Sequence, residues 1–228
     1  MMAAEQLVAR AHEIVLASTL ATYPDRELEQ IVLELGDAMQ DHAATAAMTR
    51  ALRLPTGLTD LQSRYVELFD RGGQRASLYE TEYGRMRGMS KGNDLADLAG
   101  FYHAFGLTLE ETRHEMLDHI AVELEFYAVL LLKQAALLGL GDAEGVSIVE
   151  DARKKFLSAH LGGLARGVAQ RPEVGTDPIY GPVFTWCGRL VAEECAGLGV
   201  EAAPLDFFPD EDARRDMQCG ATHLPVIT

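Results

Sequence analysis

The sequence predicts an all-α fold, a single-domain bundle of roughly eight to ten helices. Three observations carry this reading. Apolar residues recur at helical spacing, Ser/Thr-x-x-Glu/Gln patterns of the kind that cap helices open several segments, and no alternating strand pattern of useful length occurs. The 228 residues, 48% of them hydrophobic and 24% charged, suffice for one substantial core. The chain is therefore read as one domain over 1–228, with 71–92 a long loop and 200–228 an acidic tail.

The first helix is expected over Ala3 to Thr22, with Leu7, Ile14 and Leu16 among alanines and a stop at Tyr23-Pro24. Asp25 to Leu35 and Ala38 to Leu52 give two more, ended near Pro55-Thr56-Gly57. Thr59-Asp60-Leu61-Gln62 has capping-box spacing and is expected to open the helix that carries Tyr65, Leu68 and Phe69. Arg71-Gly72-Gly73-Gln74 breaks it, and the Gly-, Arg- and Met-rich stretch to Gly92 reads as a loop with one irregular helical turn. Asn93-Asp94 caps a helix through Leu95, Leu98, Tyr102 and Phe105, which Gly106 ends. Thr108-Leu109-Glu110-Glu111 opens a short helix.

The run Ile120, Leu124, Tyr127, Leu131 and Leu138 is helical to Gly139 and Gly141, and Val122, Phe126, Val129 and Leu132 make its other face apolar as well. A helix apolar nearly all round belongs at the centre of the bundle. Ser147-Ile148-Val149-Glu150 is a third capping box, leading to Phe156 and Leu157, and Gly162-Gly163 is expected to bend or interrupt the helical course beyond them. Arg171-Pro172 to Asp177-Pro178 reads as a loop, Val183 to Leu198 as the last long helix, and Pro204 and Pro209 mark the tail.

The net charge of −15 excludes a nucleic-acid partner, since phosphate binding needs clustered Lys and Arg, and it disfavours an anionic membrane surface. A cationic partner is the electrostatic complement. The longest apolar run, Ala128 to Leu132, is far short of a span, and no N-terminal stretch has the build of a signal peptide, so a cytoplasmic location is expected. Cys187, Cys195 and Cys219 lack Cys-x-x-Cys spacing; the first two are expected to be buried free thiols.

The chemistry gathers in Glu115-Met116-Leu117-Asp118-His119-Ile120-Ala121-Val122-Glu123-Leu124-Glu125-Phe126, which sets an acid, an Asp-His pair and two further glutamates at the start of the most apolar segment. Such a cluster can bind metal, transfer protons or receive a cationic peptide. The bland reading has Asp118 capping the central helix while His119 packs beside its first turn. Glu123 and Glu125 lie about 200° apart on a helix, so at most one shares the face of Asp118. Glu111-Thr112-Arg113-His114 supplies one Glu-x-x-His, but carboxylate-bridged di-metal bundles need two, and no second occurs. No metal ligand set, nucleophile motif or phosphate loop is complete, so no cofactor and no catalytic residue are assigned. A helical metal-dependent enzyme using Glu111, His114, Asp118 and His119, or a general helical adaptor, remain the alternatives.

Acid, short spacer, Asp118-His119 and an apolar helix opening Glu-Leu-Glu-Phe resembles the redox-enzyme maturation chaperones of the TorD, DmsD and NarJ type. Tyr65-Val66-Glu67-Leu68-Phe69-Asp70, Ser77-Leu78-Tyr79-Glu80-Thr81-Glu82-Tyr83, the helix from Leu98 to Gly106, His160-Leu161 and Tyr180 to Leu190 are similar to further family segments. Met116-Leu117 stands where the family commonly has a proline, and Leu164 near the position of a common tryptophan. The resemblance implies a non-enzymatic chaperone that binds the N-terminal region, often a twin-arginine signal peptide, of the apo catalytic subunit of a molybdopterin enzyme until cofactor is inserted before export. On that reading Asp118, His119, Glu115, Glu123, Tyr79, Tyr83 and Tyr102 form the client-binding site, with exposed aromatics at Tyr79 and Tyr83 receiving an apolar segment.

Overall fold

In the computed structural model the described residues are 2–36, 42–70, 76–83, 91–108, 115–203 and 205, and they form an all-α bundle. Helix α1 (Met2–Ala21) buries Ala11, Ile14, Ala17 and Leu20 and ends before Tyr23-Pro24, as the sequence predicts. Helix α2 (Arg26–Gly36) starts after Asp25, whose Oδ1 accepts the Leu28 N–H at 2.8 Å and satisfies one orphan donor. Helix α3 (Ala43–Leu52) comes next, and α4 (Gly57–Tyr65) runs directly into a π turn at Val66–Asp70.

The capping box expected at Thr59 does not form. The helix begins two residues earlier because Gly57 lets the chain turn tightly: a Cβ there would lie 2.2 Å from the Ala51 carbonyl oxygen. Thr56 then donates its hydroxyl to Asp60 at 2.7 Å.

Helix α5 (Lys91–Ala104) also begins ahead of the expected Asn93-Asp94 cap and is ended by Gly106 at φ 74°. Helix α6 (Ile120–Leu140) passes through Gly139 and stops at Gly141, where φ is 71°. Helix α7 (Ala143–Phe156) starts with Asp142 rather than the predicted Ser147: Asp142 Oδ1 accepts the Gly145 N–H at 2.9 Å. The interruption expected at Gly162-Gly163 is absent. A π turn (Leu157–Leu161) carries α7 into α8 (Gly162–Ala169) without leaving right-handed helical geometry. These glycines permit close approach instead, since a Cβ on Gly163 would sit 2.7 Å from the Ala203 carbonyl oxygen. The expected loop after Arg171 contains a short helix, α9 (Pro172–Gly175), before α10 (Tyr180–Leu198). The capping box at Thr108–Glu111, the breaking sequence at Arg71–Gln74, most of the acidic tail and Cys219 lie outside the described residues.

Helix α6 is the axle. Its Ile120, Leu124, Tyr127, Leu130 and Leu131 are fully buried, α1 lies along its length, and α7 packs beside it. Ser18 of α1 donates to the Ala121 carbonyl at 2.8 Å, so even the first turn of α6 is tied to its neighbour. Farther along, Arg153 of α7 reaches Tyr127 (3.0 Å) and Glu194 of α10 (2.6 Å), and also bonds Gln134. Arg10 of α1 meets the same Glu194 at 3.2 Å, so one buried polar knot joins four helices. Of the thiols, Cys187 is buried, which pushes it up to about 12, while Cys195 is only half-buried, contrary to expectation.

Removing one partner of a buried pair costs about 3–5 kcal/mol because the other charge stays desolvated. Arg153→Met is expected near the low end of that range, since Arg10 still reaches Glu194. Arg153→Met/Glu194→Leu should recover most of the loss in urea denaturation.

Candidate functional site

The chain between α5 and α6 approaches the bundle at Glu115, and residues Met116 to His119 lead into α6. Ser77 to Tyr83 crosses this approach as a strap. The Glu80 N–H donates to the Asp118 carbonyl at 2.9 Å and the Ile120 N–H donates to the Leu78 carbonyl at 2.8 Å, an isolated antiparallel bridge centred on Tyr79 and His119. The strap then makes a single 3₁₀ turn at Glu80–Glu82, the irregular turn expected in that region.

The roles of Asp118 and His119 are the reverse of the bland sequence reading. His119, fully buried, is the N-cap of α6: its Nδ1 accepts the Ala121 N–H at 3.1 Å. That bond assigns the ring proton of neutral His119 to Nε2, which faces the Tyr65 hydroxyl at 3.3 Å. Asp118 does not cap α6. Its Oδ2 accepts the Thr81 N–H at 3.1 Å and the Thr81 hydroxyl, so it anchors the strap's 3₁₀ turn. Extended backbone at His119, with ψ 134°, points the Asp118 side chain back toward the strap rather than along the helix.

Glu123, one turn into α6, is fully buried, and neither of its carboxylate oxygens meets a hydrogen-bond donor among the described residues. The Oδ1 of Asp118 is likewise buried without a donor among them. Burial first, then the charges of Glu80 and Asp118, raise the Glu123 carboxyl well above the usual range, so its neutral form is favoured. Glu125 falls on a different, half-buried face, as the helical spacing requires.

Glu80 turns inward from the strap and meets His160 Nδ1 at 3.0 Å, while His160 Nε2 meets Asp97 of α5 at 3.1 Å. Burial alone lowers the His160 pKa, but the hydrogen bonds and charges of Glu80 and Asp97 outweigh it and leave it raised. Tyr102 donates to the Leu117 carbonyl at 2.8 Å and is raised by burial and by the surrounding carboxylates.

The seven predicted residues thus converge on one region but differ in exposure. Asp118, His119, Glu123, Tyr83 and Tyr102 are buried, whereas Tyr79 and Glu115 are half-exposed. The expectation of an exposed Tyr83 is corrected: its hydroxyl turns inward onto Ser77 and stabilises the strap from within. Glu80, Thr81, Asp97 and His160 complete the polar array and were not among the predicted site residues. Their sequence signal lay in the Ser77–Tyr83 and His160-Leu161 segments, but pairing across 80 positions has no local signature. Glu111 and His114 lie outside the described residues, and no group of three His, Cys, Asp or Glu among the described residues is arranged to hold a metal. Two larger clefts, of about 500 and 570 Å³, flank α10 and share Thr185 and Arg189; Asp118 and His119 line neither. A smaller one of about 140 Å³ lies beside the site between α5 and α6, lined by Tyr102, Val122, Phe126 and Val129 with Glu125 alongside.

An all-helical bundle with an Asp-His turn leading into its central helix places the chain in a defined class. The nitrate reductase delta subunit family matches residues 25–164, and the chain belongs to that family. It is 32% identical to the chlorate reductase assembly chaperone protein of Ideonella dechloratans, over 63% of this chain and 72% of that one. The selenate reductase assembly chaperone protein of Thauera selenatis is 31% identical over 64% of this chain and 74% of its own. The perchlorate reductase assembly chaperone protein of Dechloromonas aromatica is 29% identical over 48% of each.

The Thr81–Asp118 contact should be measurable as a coupling. Thr81→Val and Asp118→Asn are each expected to destabilise by about 1–3 kcal/mol. Their double variant should fall short of the sum by roughly 0.5–3 kcal/mol in a denaturation cycle, because both remove the same contact.

Proposed function

We propose that this chain is a dedicated assembly chaperone, without catalytic activity of its own, for the catalytic subunit of a molybdopterin oxidoreductase. It binds that subunit's N-terminal region, a basic leader, in the cytoplasm and holds the apoprotein until cofactor is inserted. The observation that carries this is family membership together with likeness to the chlorate and selenate reductase assembly chaperones across 72% and 74% of their lengths. No helix among the described residues is long and apolar enough to cross a membrane, which is compatible with such a role.

The local chemistry supports the peptide reading. Glu115 and Glu125 are half-exposed carboxylates on either side of the turn into α6, suited to bidentate pairing with arginine. Met116 is 48% exposed beside them, and the small cleft lined by Tyr102, Val122, Phe126 and Val129 has room for an apolar side chain next to the basic one. Tyr79 is half-exposed on the strap. Asp118, His119 and Glu123 serve chiefly by holding strap and helix together, and they meet a client once the strap has moved.

Kinetics with a synthetic leader tests this. Glu115→Gln/Glu125→Gln should slow association, and rising salt should slow it for the wild type, as the Debye length falls from about 30 Å at 0.01 M to about 8 Å at 0.15 M. Val129→Glu, at the cleft, should mainly speed dissociation, where most affinity differences reside. A client subunit co-expressed with the chain should co-purify with it as apoprotein. No binding of any N-terminal segment of the client, at any salt concentration, would overturn the proposal.

A further inference from the structure

The strap is held by groups that change charge. Glu80 reaches inward from it to His160, a residue of the π turn between α7 and α8, and His160 bridges on to Asp97 of α5. Both imidazole nitrogens face carboxylates, so the cationic ring satisfies two acceptors at once, and a neutral ring can donate to only one. Glu80 is 7% exposed and His160 5%, so water cannot readily replace the lost contact. Beneath the same strap, the buried Glu123 carboxyl lies among Glu80 and Asp118 without a donor of its own among the described residues.

We propose that the strap Ser77–Tyr83 is a proton-operated latch: closure over the start of α6 takes up protons at His160 and Glu123, and the strap opens as pH rises. The consequence for client capture rests on the chaperone reading above; the latch itself does not.

Other charges face the latch from every neighbouring element. Asp97 and Tyr102 face it from α5, with Phe101 and Phe156 flanking His160 as uncharged rings. Asp118 and His119 face it from the turn into α6. Lys91 meets Glu82 at 3.3 Å, Arg171 lies near Tyr83, and Glu115 and Asp70 lie near Tyr79; none of these links the strap to His160 or Glu123.

The signs agree for the two groups. The His160 pKa is raised above its ordinary 6.5, so its contribution to closure is complete below that value and is lost as pH rises through the raised one. The Glu123 pKa is raised above 4.5, so its contribution is complete below 4.5 and is lost as pH rises through its own raised value. Each proton taken up on closure makes the opening constant rise by up to about tenfold per pH unit inside its window. The client-facing carboxylates are therefore covered in acid and uncovered toward neutral and alkaline pH. Opening also separates Glu80 from His160 and lets Glu123 ionise in contact with water, ready to meet a cationic client group.

Hydrogen exchange on the free full-length chain reads the latch directly. The amides of Glu80 and Ile120, which form the bridge, and of Thr81, bonded to Asp118, report opening. From about pH 5 to about pH 8, protection corrected for the intrinsic exchange rate should fall with pH in the wild type. In His160→Gln/Glu123→Gln the dependence should flatten, and in His12→Gln, an exposed histidine far from the strap, it should persist. If the double variant does not fold, Glu80→Gln and the nuclear magnetic resonance titration of His160 in the wild type decide the question. Loss of pH-dependent opening in Glu80→Gln and a His160 midpoint above about 6.5 support the latch. An unchanged pH profile in any folded latch variant, or a His160 midpoint at or below that value, overturns it. Leader binding measured alongside separates the two claims. Opening that depends on pH, with no leader bound, refutes the chaperone reading and leaves the latch intact, whereas binding with pH-independent opening does the opposite.

Discussion

The bridge between Leu78–Glu80 and Asp118–Ile120 fixes the start of α6, and the rest of the bundle takes its position from that helix. Its two backbone hydrogen bonds, 2.9 and 2.8 Å, are the kind of pairing a sheet uses, made here by two short extended segments in an otherwise helical protein. They are needed because Asp118 and His119 cannot both belong to the helix. With His119 extended and its ring spent on the Ala121 N–H, the backbone groups before it must find partners elsewhere, and the strap provides them. Thr81 then satisfies Asp118, Tyr65 meets the far side of His119, and Tyr102 donates to the Leu117 carbonyl. Strap, α4, α5 and α6 are therefore positioned by one set of mutually dependent polar contacts. Such a set is worth more complete than partly made.

Much of the fold was legible because it rests on periodicity. The apolar run from Ile120 onward has no polar face for solvent, and α6 is indeed buried almost all round. The stops at Tyr23-Pro24, Gly106 and Gly141 were legible because proline and positive φ act locally. Starts were less so. Thr59 and Ser147 have the right side chains at the right spacing, yet tertiary contact moved both beginnings. Gly57 permits a closer turn against Ala51, and Asp142 offers a cap directly after the Gly141 stop. The Gly162-Gly163 pair misled for a related reason. Glycine signals either a bend or a close approach, and only the position of Ala203 tells which.

The site was legible in outline. Asp118 and His119 stood out because hydrophobic packing has no use for them, and the structure does bring Tyr79, Tyr83, Tyr102, Glu115 and Glu123 around them. What the sequence could not convey is which polar groups face inward. Glu80 and Glu82 are two residues apart in one acidic stretch, yet the 3₁₀ turn sends one to His160 and leaves the other to Lys91. Roles shift just as easily across a single peptide unit. Asp118 is the better cap by intrinsic preference, but it was His119 whose backbone geometry suited the position.

A buried array of three carboxylates and two imidazoles is an inefficient way to fasten a short strap, since desolvation of charge offsets much of what the pairing contributes. An apolar contact would hold the strap more tightly, but it would also hold it irrespective of conditions. Marginal closure has a functional use in a protein that must bind a client and later release it. If only the open form accepts the leader, the apparent dissociation constant is the intrinsic one divided by the open fraction, so a strap closed about 99% of the time weakens binding about a hundredfold. A shift of about 2.7 kcal/mol in the strap equilibrium then spans that whole range. The same arithmetic explains why the polar knot at Arg153, Glu194 and Tyr127 lies far from the strap, on helices that do not have to move. Rigidity is confined to the axle and its supports, and the one segment made to yield is fastened by groups whose charge can change.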